Sequence, residues 1–324
     1  MPIYRPVSLP NQSPCDLPVH QLVPQSTVKI AVIGDIHDLW ELEDNAALKH
    51  LAVDLAIFVG DYGNESVDVV RRIAAVEIPK AAVMGNHDAY YSASKKGIKN
   101  CPYDRHREDW VQLQMDLLGE DHIGFSKREF PQFGFTVVGG RPFSWGGPKW
   151  RYPKFYRDRF NIRNFDESLD LILAAADEAE HSTVIFVGHV GPYGLGDQPE
   201  DPCGKDWGKN GGGGDYGDLD FAKAIALTQA AGKKVPLVTF GHMHHQLKNN
   251  AHQLRKRVAK AENTIYFNAA NVPRIESTPD GSQRSFSLVT LKHGHVESIV
   301  LIWLDSNLEK ISEECLYAQC DAAS

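Results

Sequence analysis

The sequence predicts an α/β protein, and three features of its pattern support this prediction. Short apolar runs rich in β-branched residues recur along the chain, and each ends at a glycine followed by a polar residue. Segments with apolar residues spaced three or four apart lie between these runs, as expected for amphipathic helices. The C-terminal part is instead typical of consecutive strands. Alternation of strands and helices predicts a sheet with crossover helices.

The N-terminal segment differs in composition from the rest of the chain. Residues 1–26 contain six prolines and few clustered apolar residues, which is typical of an extended, Pro-rich arm. We expect residues 27–305 to form a single domain and residues 306–324 to form a C-terminal tail.

The predicted elements follow one another in a regular order. The strands that end in glycine and a polar residue are 28–33, 55–59, 81–84, 184–187 and 237–240. The predicted helices are 39–51, 66–75, 108–118, 166–180 and 219–231. Three further strands, 264–267, 285–291 and 296–304, are expected to form an antiparallel extension. Because ligands of open α/β sheets collect at the carboxyl ends of strands, the five glycine-polar pairs mark the expected site.

Composition and charge exclude several classes of protein. The chain has 324 residues, 42% of them hydrophobic and 23% charged, which is typical of a soluble globular protein. Its formal net charge of -8 disfavours nucleic acid as a partner. The five cysteines are scattered and form no Cys-x-x-Cys pair, which argues against a disulfide framework. No signal peptide or membrane span is readable, so we expect a cytoplasmic protein with no membrane partner.

Each of the five predicted strand ends supplies side chains that bind metal ions. Asp35 and His37 follow the first strand, and their i, i+2 spacing turns both side chains to the same side. Asp61 follows the second strand, and its two carboxylate oxygens can bridge two cations. The other three strand ends supply Asn86, His87 and Asp88, then His189, then His242 and His244. A mixed set of nitrogen and oxygen ligands without a thiolate suits Mn, Fe or Zn.

Five motifs in a set order resemble those of the calcineurin-like metallophosphoesterase superfamily. They are Asp35-x-His37, Gly60-Asp61, Gly85-Asn86-His87-Asp88, His189 and Gly241-His242-x-His244. The third and fifth motifs look more like those of the bacterial phosphodiesterase branches than those of the protein Ser/Thr phosphatases. The resemblance implies a metallophosphoesterase-like β-sandwich of mixed sheets flanked by helices, with residues 27–305 as the metallophosphoesterase domain.

The resemblance also implies a role for each motif residue. One metal ion would be held by Asp35, His37, Asp61 and His244, and a second by Asp61, Asn86, His189 and His242. His87 would be the catalytic histidine rather than a ligand, with Asp88 supporting the ligands. The implied activity is hydrolysis of phosphoric esters, in which a metal-bridged hydroxide attacks phosphorus in line and His87 assists the leaving group. The substrate would be a phosphorylated small molecule or a nucleotide, and either a monoester or a diester.

Asn64 departs from the superfamily pattern. The family usually has an aspartate three residues after the bridging Asp61, where this sequence has Asn64. In the phosphatase branch the matching aspartate orients the catalytic histidine and favours its cation, whereas an amide can offer only its neutral carbonyl oxygen. A conventional histidine-aspartate dyad is therefore not expected.

Two alternative functions stay open at this stage. The first is a scaffold with the metallophosphoesterase fold that has reduced catalysis and binds protein partners. His87 and every type of ligand are present, which argues against it. The second is a protein Ser/Thr phosphatase, which Asn64 and the absence of an Asp-Arg-Gly continuation disfavour.

Three segments outside the motifs could bear on the substrate. Residues 141–160 contain six basic and seven aromatic residues and follow neither a helix nor a strand period. They could bind substrate through Arg151 and Arg157, or they could be an ordered surface loop. Residues 191–217 contain ten glycines and could be a lid over the site or a tolerated surface insertion. The charge run at 246–260 is typical of a solvated face.

Overall fold

The computed structural model describes residues 25–208, 212–250, 252–279 and 281–319. The predicted N-terminal arm lies almost entirely outside the described residues. Two mixed sheets pack face to face in the described part of the chain, and helices cover their outer faces. This arrangement is an α/β sandwich of mixed sheets flanked by helices, as the sequence predicts.

Strands and helices have the following bounds. The strands are β1 (Thr27–Ile33), β2 (Leu55–Phe58), β3 (Lys80–Ala82), β4 (Lys127–Phe130), β5 (Phe135–Gly139), β6 (Val184–Val187), β7 (Leu237–Phe240), β8 (Val258–Ala261), β9 (Thr264–Asn268), β10 (Ile275–Thr278), β11 (Gly281–Lys292), β12 (His295–Leu304) and β13 (Lys310–Ala318). The α-helices are α1 (Leu42–His50), α2 (Val67–Ala74), α3 (Tyr90–Ala93), α4 (Lys95–Lys99), α5 (Trp110–Leu118), α6 (Pro153–Phe160), α7 (Phe165–Asp177) and α8 (Leu219–Ala230). Short 3₁₀ turns occupy His87–Ala89 and Gly119–Asp121.

The first sheet has the strand order β13-β12-β11-β1-β2-β3, and β10 pairs with β11. Strands β1, β2 and β3 are parallel to one another, whereas β11, β12 and β13 pair in antiparallel fashion. The second sheet has the order β4-β5-β6-β7-β9-β8. Its four central strands are parallel, and β4 and β8 are antiparallel edges.

Strand residues alternate between two apolar layers. On β1, Ile30 and Val32 pack between the sheets together with Ile185 of β6, whereas Ala31 and Ile33 face helices α1, α2 and α5. The outer face of the second sheet packs on α7 and α8 in the same way. Because both faces of the central strands are buried, these strands are continuous apolar runs in the sequence. The two sheets therefore share one core and hold their strand ends in fixed positions.

The structure confirms the strands that end in glycine and corrects three other predictions. Strand β9 does not join an antiparallel extension, because it lies in the second sheet and pairs in parallel with β7. Strand β13 continues the first sheet past residue 305, where a tail was expected, because Leu316 and Tyr317 pack against the core between the sheets. Helix α6 lies within the segment 141–160, where no helix period was read. None of the helices described combines the length and apolarity needed to cross a membrane.

Candidate metal centre

The candidate site lies where strands of both sheets end. The loops after β1, β2 and β3 of the first sheet and after β6 and β7 of the second sheet converge at one place. These loops bring together the seven residues expected as ligands: Asp35, His37, Asp61, Asn86, His189, His242 and His244. The side chains form two adjoining groups.

The first group consists of Asp35, His37 and His244. Asp35 Oδ1 lies 3.4 Å from His244 Nε2 and 4.0 Å from His37 Nε2. The two Nε2 atoms lie 3.2 Å apart. One ligand atom of each of the three residues lies within 4.8 Å of the others, which is close enough for all three to hold one ion. These three are among the four residues expected at the first metal.

The second group consists of Asp61, His189 and His242, with Asn86 beside them. Asp61 Oδ1 lies 3.3 Å and Asn86 Oδ1 lies 3.0 Å from His189 Nε2. Because His189 Nδ1 donates to the carbonyl oxygen of Val59 at 2.8 Å, Nε2 is the ring atom that faces the two oxygens. A fixed tautomer of this kind is typical of histidines that bind metal through the other nitrogen.

Asp61 lies between the two groups. Besides its place in the second group, its carboxylate lies within 4.8 Å of ring nitrogens of His37 and His87. Its Oδ1 also accepts the backbone N–H of His87 at 2.8 Å. This position is suited to a carboxylate that serves two ions at once.

Four of the seven residues have a left-handed backbone, which is uncommon for residues with a side chain. The φ angles are 50° at Asp35, 45° at His37, 55° at Asp61 and 68° at His242. Such conformations cost free energy and cluster at functional sites. Gly60, with φ of 97°, lies so close to the loop after β3 that a Cβ there would be 2.5 Å from the backbone nitrogen of Gly85. The loops are thus built to aim these side chains inward.

Burial and charge make this place attractive to cations. Asp35 and Asp61 are both almost fully buried, and their ion-pair partners in the described part of the chain are all histidines. Burial would lower the pKa of His189, but the Asp61 carboxylate raises it to about 9. Burial lowers the pKa of His242 to about 3, so that its imidazole is neutral and able to bind metal. The residues present therefore fit two bound cations.

His87 lies beside Asp61, and two contacts hold its ring. Its Nδ1–H donates to Asn64 Oδ1 at 2.7 Å, so the amide carbonyl fills the orienting role. The ring also stacks on Tyr90, with 5.9 Å between the centroids and 9° between the planes. Within the described ranges, Nδ1 is the ring nitrogen of His87 that has a hydrogen-bond partner, and Nε2 has none.

Asp88 holds the strand ends together instead of facing the ligands. Its buried carboxylate accepts backbone N–H groups of Gly85 at 2.7 Å, Tyr62 at 2.8 Å and Asp61 at 3.0 Å. Burial raises the pKa of this carboxyl well above its usual range. Asp88 thus fixes the loop after β2 against the loop after β3.

The two arginines of the segment 141–160 lie in different surroundings. Arg151 lines a cavity of about 430 Å³ that also contains Asp61, His87 and His242. Arg157 is exposed on α6, pairs with Asp158 at 3.1 Å, and is absent from the lining of this cavity. The structure therefore brings Arg151, but not Arg157, to the candidate metal centre.

Arg255 is a site residue that the sequence reading missed. The charge run at 246–260 was expected to be solvated, but the side chain of Arg255 is only 1% exposed. It donates to the carbonyl oxygens of Pro199, Asp201 and Gly204 at 2.7 Å, and to that of His244 at 3.1 Å. Its role depends on contacts with residues 51 to 56 positions away, and the sequence pattern gives no signal for it.

The segment 191–217 forms part of the wall of the same cavity. Its residues Asp206, Trp207 and Tyr216 line the cavity beside His244. Cys203 of this segment is fully buried, and burial raises the pKa of its thiol, as expected for a packing residue. The described part of the segment is therefore a structured wall of the site.

The fold and the converging histidines and carboxylates define a metal-binding hydrolase-like centre. A family model described as calcineurin-like phosphoesterase matches residues 28–246, about two thirds of the sequence. The chain belongs to this family of metallophosphoesterases. No curated protein sequence matches it significantly.

Comparison with solved structures finds distant likenesses. One is the protein TT1561 of Thermus thermophilus, with 12% identity, a TM-score of 0.46, and coverage of 90% of this chain and 100% of the other. A second is a dimetal phosphatase from Danio rerio, with 12% identity, a TM-score of 0.43 and coverage of 90% and 99%. A third is the purple acid phosphatase PPD1 from yellow lupin seeds, with 14% identity, a TM-score of 0.42 and coverage of 90% and 54%.

Proposed function

We propose that this metallophosphoesterase is a dinuclear metal-dependent hydrolase of phosphoric esters. One ion would be held by Asp35, His37, Asp61 and His244, and the other by Asp61, Asn86, His189 and His242. Manganese, iron and zinc all suit this mixed set of nitrogen and oxygen ligands. The substrate would be a phosphorylated small molecule or a nucleotide.

One observation carries the proposal. Two buried carboxylates, Asp35 and Asp61, lie among imidazoles from both sheets, which gives one compact set of oxygen and nitrogen atoms able to bind cations. When bound, two cations there would lower the pKa of a shared water and hold phosphoryl oxygens. These residues therefore fit a metal centre better than they fit a polar cluster that packs without metal.

The surrounding residues complete the proposed reaction. His87 would donate a proton or a hydrogen bond to the leaving oxygen through Nε2, with Asn64 fixing the ring. Arg151 would bind an anionic part of the substrate from the cavity wall. Neither the scaffold alternative nor the protein phosphatase alternative has a specific observation in its favour.

A hydrolysis panel tests the proposal. The manganese-loaded protein would be assayed on an aryl monoester, an aryl diester, cyclic nucleotides and a phosphopeptide, beside the Asp61→Ala variant. We expect hydrolysis of at least one non-peptide ester by the wild type and none by the variant. Inactivity of the wild type on every ester with manganese, iron and zinc would favour the scaffold. Activity on the phosphopeptide alone would favour the protein phosphatase.

A further inference from the structure

We propose that a second, larger cavity beside the metal centre binds the leaving-group part of the substrate, and that this part is a nucleotide. This cavity, called the side cavity below, is lined by residues from 90–98, 105–112 and 145–159. Its volume is about 1270 Å³, against about 430 Å³ for the cavity at the metal centre. The inference rests on the proposed function, because it names the substrate class of that site.

The two cavities adjoin at Trp145, which lines both of them. The Trp145 ring lies 6.2 Å from the ring of His242 and 6.1 Å from the ring of Tyr152, in edge-to-face arrangements. Tyr152 lines the side cavity, whereas His242 belongs to the proposed metal site. A substrate whose phosphorus lies at the metal centre can therefore extend past Trp145 into the side cavity.

His87 gives this extension a direction. Tyr90, on which His87 stacks, lines the side cavity. Since His87 is proposed to assist the departing oxygen, the leaving group lies on the His87 side of the phosphorus. That side leads to Tyr90 and hence to the side cavity. The part of the substrate that leaves, rather than the part that stays on phosphorus, would occupy it.

The end of the side cavity at the metal centre is aromatic. Tyr90, Trp145 and Tyr152 are only partly buried and present ring surface to the cavity. Aromatic side chains of this kind stack on nucleic acid bases, whatever the base, because every base has a π face.

The charge in the side cavity favours an anion. Two of its three acidic residues are balanced, because Asp109 pairs with Arg159 at 2.7 Å and Asp158 pairs with Lys154 at 2.7 Å. The third, Glu108, accepts from Trp110 Nε1 at 2.8 Å, and its charge is matched in the lining by that of Arg105. Lys95 and Lys96 also line the cavity, and neither forms an ion pair with any residue that the structure describes. Two uncompensated ammonium groups a few residues from Tyr90 fit a further phosphate on the leaving group. An aromatic base and a phosphate together describe a nucleotide.

A pair of matched variants tests the inference. Lys95→Ala combined with Lys96→Ala removes two exposed ammonium groups from the cavity lining, whereas Lys99→Ala removes another exposed one on α4 that does not line the cavity. The full-length, manganese-loaded proteins would be assayed on p-nitrophenyl phosphate and on diadenosine diphosphate, whose leaving group is AMP. Binding of AMP would be measured by calorimetric titration, which does not depend on turnover.

We expect the double variant to raise KM for diadenosine diphosphate and to weaken AMP binding by about tenfold or more. Its kinetics on p-nitrophenyl phosphate should stay at the wild-type level, because that leaving group does not reach the lysines. Lys99→Ala should resemble the wild type in every assay. Equal thermal melting of the three proteins would exclude a folding defect as the cause.

The possible failures are distinguishable. If p-nitrophenyl phosphate is hydrolysed but the lysine changes leave AMP binding and KM for the dinucleotide unmoved, the side-cavity inference is wrong and the proposed function stands. If the lysines control AMP binding but no ester is hydrolysed, the cavity has the proposed ligand class and the proposed hydrolase function is wrong. If a phosphotyrosine peptide is the better substrate and responds to the lysine changes, the leaving group is not a nucleotide and the inference is overturned.

Discussion

His87 is oriented by an amide where its family usually has a carboxylate. The Asn64 carbonyl oxygen accepts from Nδ1 and so fixes the ring, but it carries no negative charge to stabilise an imidazolium. The ring is therefore positioned as it would be by an aspartate. Because Nδ1–H donates to Asn64, Nε2 can donate to a leaving oxygen only when both ring nitrogens carry a proton.

His87→Ala should lower turnover by about 100 to 10,000-fold without loss of bound metal, because a general acid contributes to the rate but holds no ion. Kinetic assays paired with metal analysis check this. The deficit should shrink with esters whose leaving groups are already acidic, since these need no proton. Equal losses across a series of leaving groups would remove the proton-donor role.

Arg151 and Arg157 provide a matched comparison for substrate binding. Arg151 lines the cavity at the metal centre, whereas Arg157 pairs with Asp158 on the exposed face of α6. Arg151→Ala should raise KM for an anionic substrate by about tenfold and leave metal content unchanged, and Arg157→Ala should leave both unchanged. Steady-state kinetics of the two variants decide the matter. An equal effect of the two substitutions on KM would contradict the prediction that Arg151 binds substrate because it lines the cavity.

At the scale of elements, Arg255 joins the segment 191–217 to the loop of His244. Its guanidinium bonds carbonyl groups on both, and Asp206 lies 3.4 Å from Nη2. Because the segment carries Trp207 and Tyr216 into the cavity wall, the position of this wall depends on one buried side chain.

Arg255→Ala should destabilise the protein by about 3–5 kcal/mol, because it leaves a buried carboxylate and several carbonyl groups without their partner. Lys256→Ala is the natural control. Lys256 also pairs with this segment, through Asp201, but its side chain is 61% exposed and its loss should cost less than about 1 kcal/mol. Denaturant unfolding measures both values. Equal small losses would show that the segment holds its place without Arg255.

The sequence pattern predicts those strands that are short apolar runs ended by glycine. Strands β1, β2, β6 and β7 are apolar runs stopped by glycine, and the side chains after them face the site because parallel strand ends share an edge. The prediction for β9 is wrong because a short apolar run does not show which strand it pairs with. In the structure β9 pairs in parallel with β7 of the second sheet. Helix α6 shows no apolar period in the sequence because Tyr156 is its one buried residue.

The candidate site residues also fall into two sets, those that the local sequence indicates and those that only tertiary contacts reveal. Each predicted ligand stands next to a strand end and could be found from its neighbours in sequence. Arg255 and Trp145 could not be found in this way, because their roles arise from contacts with segments that are distant in the chain. Burial of a charged residue within a charge run depends on tertiary packing, and a sequence pattern does not carry that information.

At the scale of the whole molecule, the candidate metal centre joins the two sheets. Asp35, Asp61 and Asn86 extend from the first sheet, whereas His189 and His242 extend from the second. Ions bound by both sets would link the sheets at one end of the sandwich. Metal binding should therefore stabilise the entire fold and not only the loops.

Removal of metal with a chelator should lower the thermal midpoint by about 5 °C or more, because each site filled at about 100 times its Kd adds about 2.7 kcal/mol. Differential scanning calorimetry before chelation, after it and after readdition of manganese measures the shift. The Asp61→Ala variant is the control, since its midpoint should not respond to the chelator. A wild-type midpoint that ignores the chelator would contradict a metal link between the sheets.

Metal stoichiometry tests the central claim most directly. Wild-type protein, Asp61→Ala and Asp68→Ala would be loaded with manganese, freed of unbound metal and analysed for metal per chain. Asp68 is an exposed helical aspartate and matches the chemical change. The account predicts two equivalents in the wild type and in Asp68→Ala, and none in Asp61→Ala, because loss of the shared carboxylate leaves two cations repelling each other. Two equivalents retained in Asp61→Ala would contradict it.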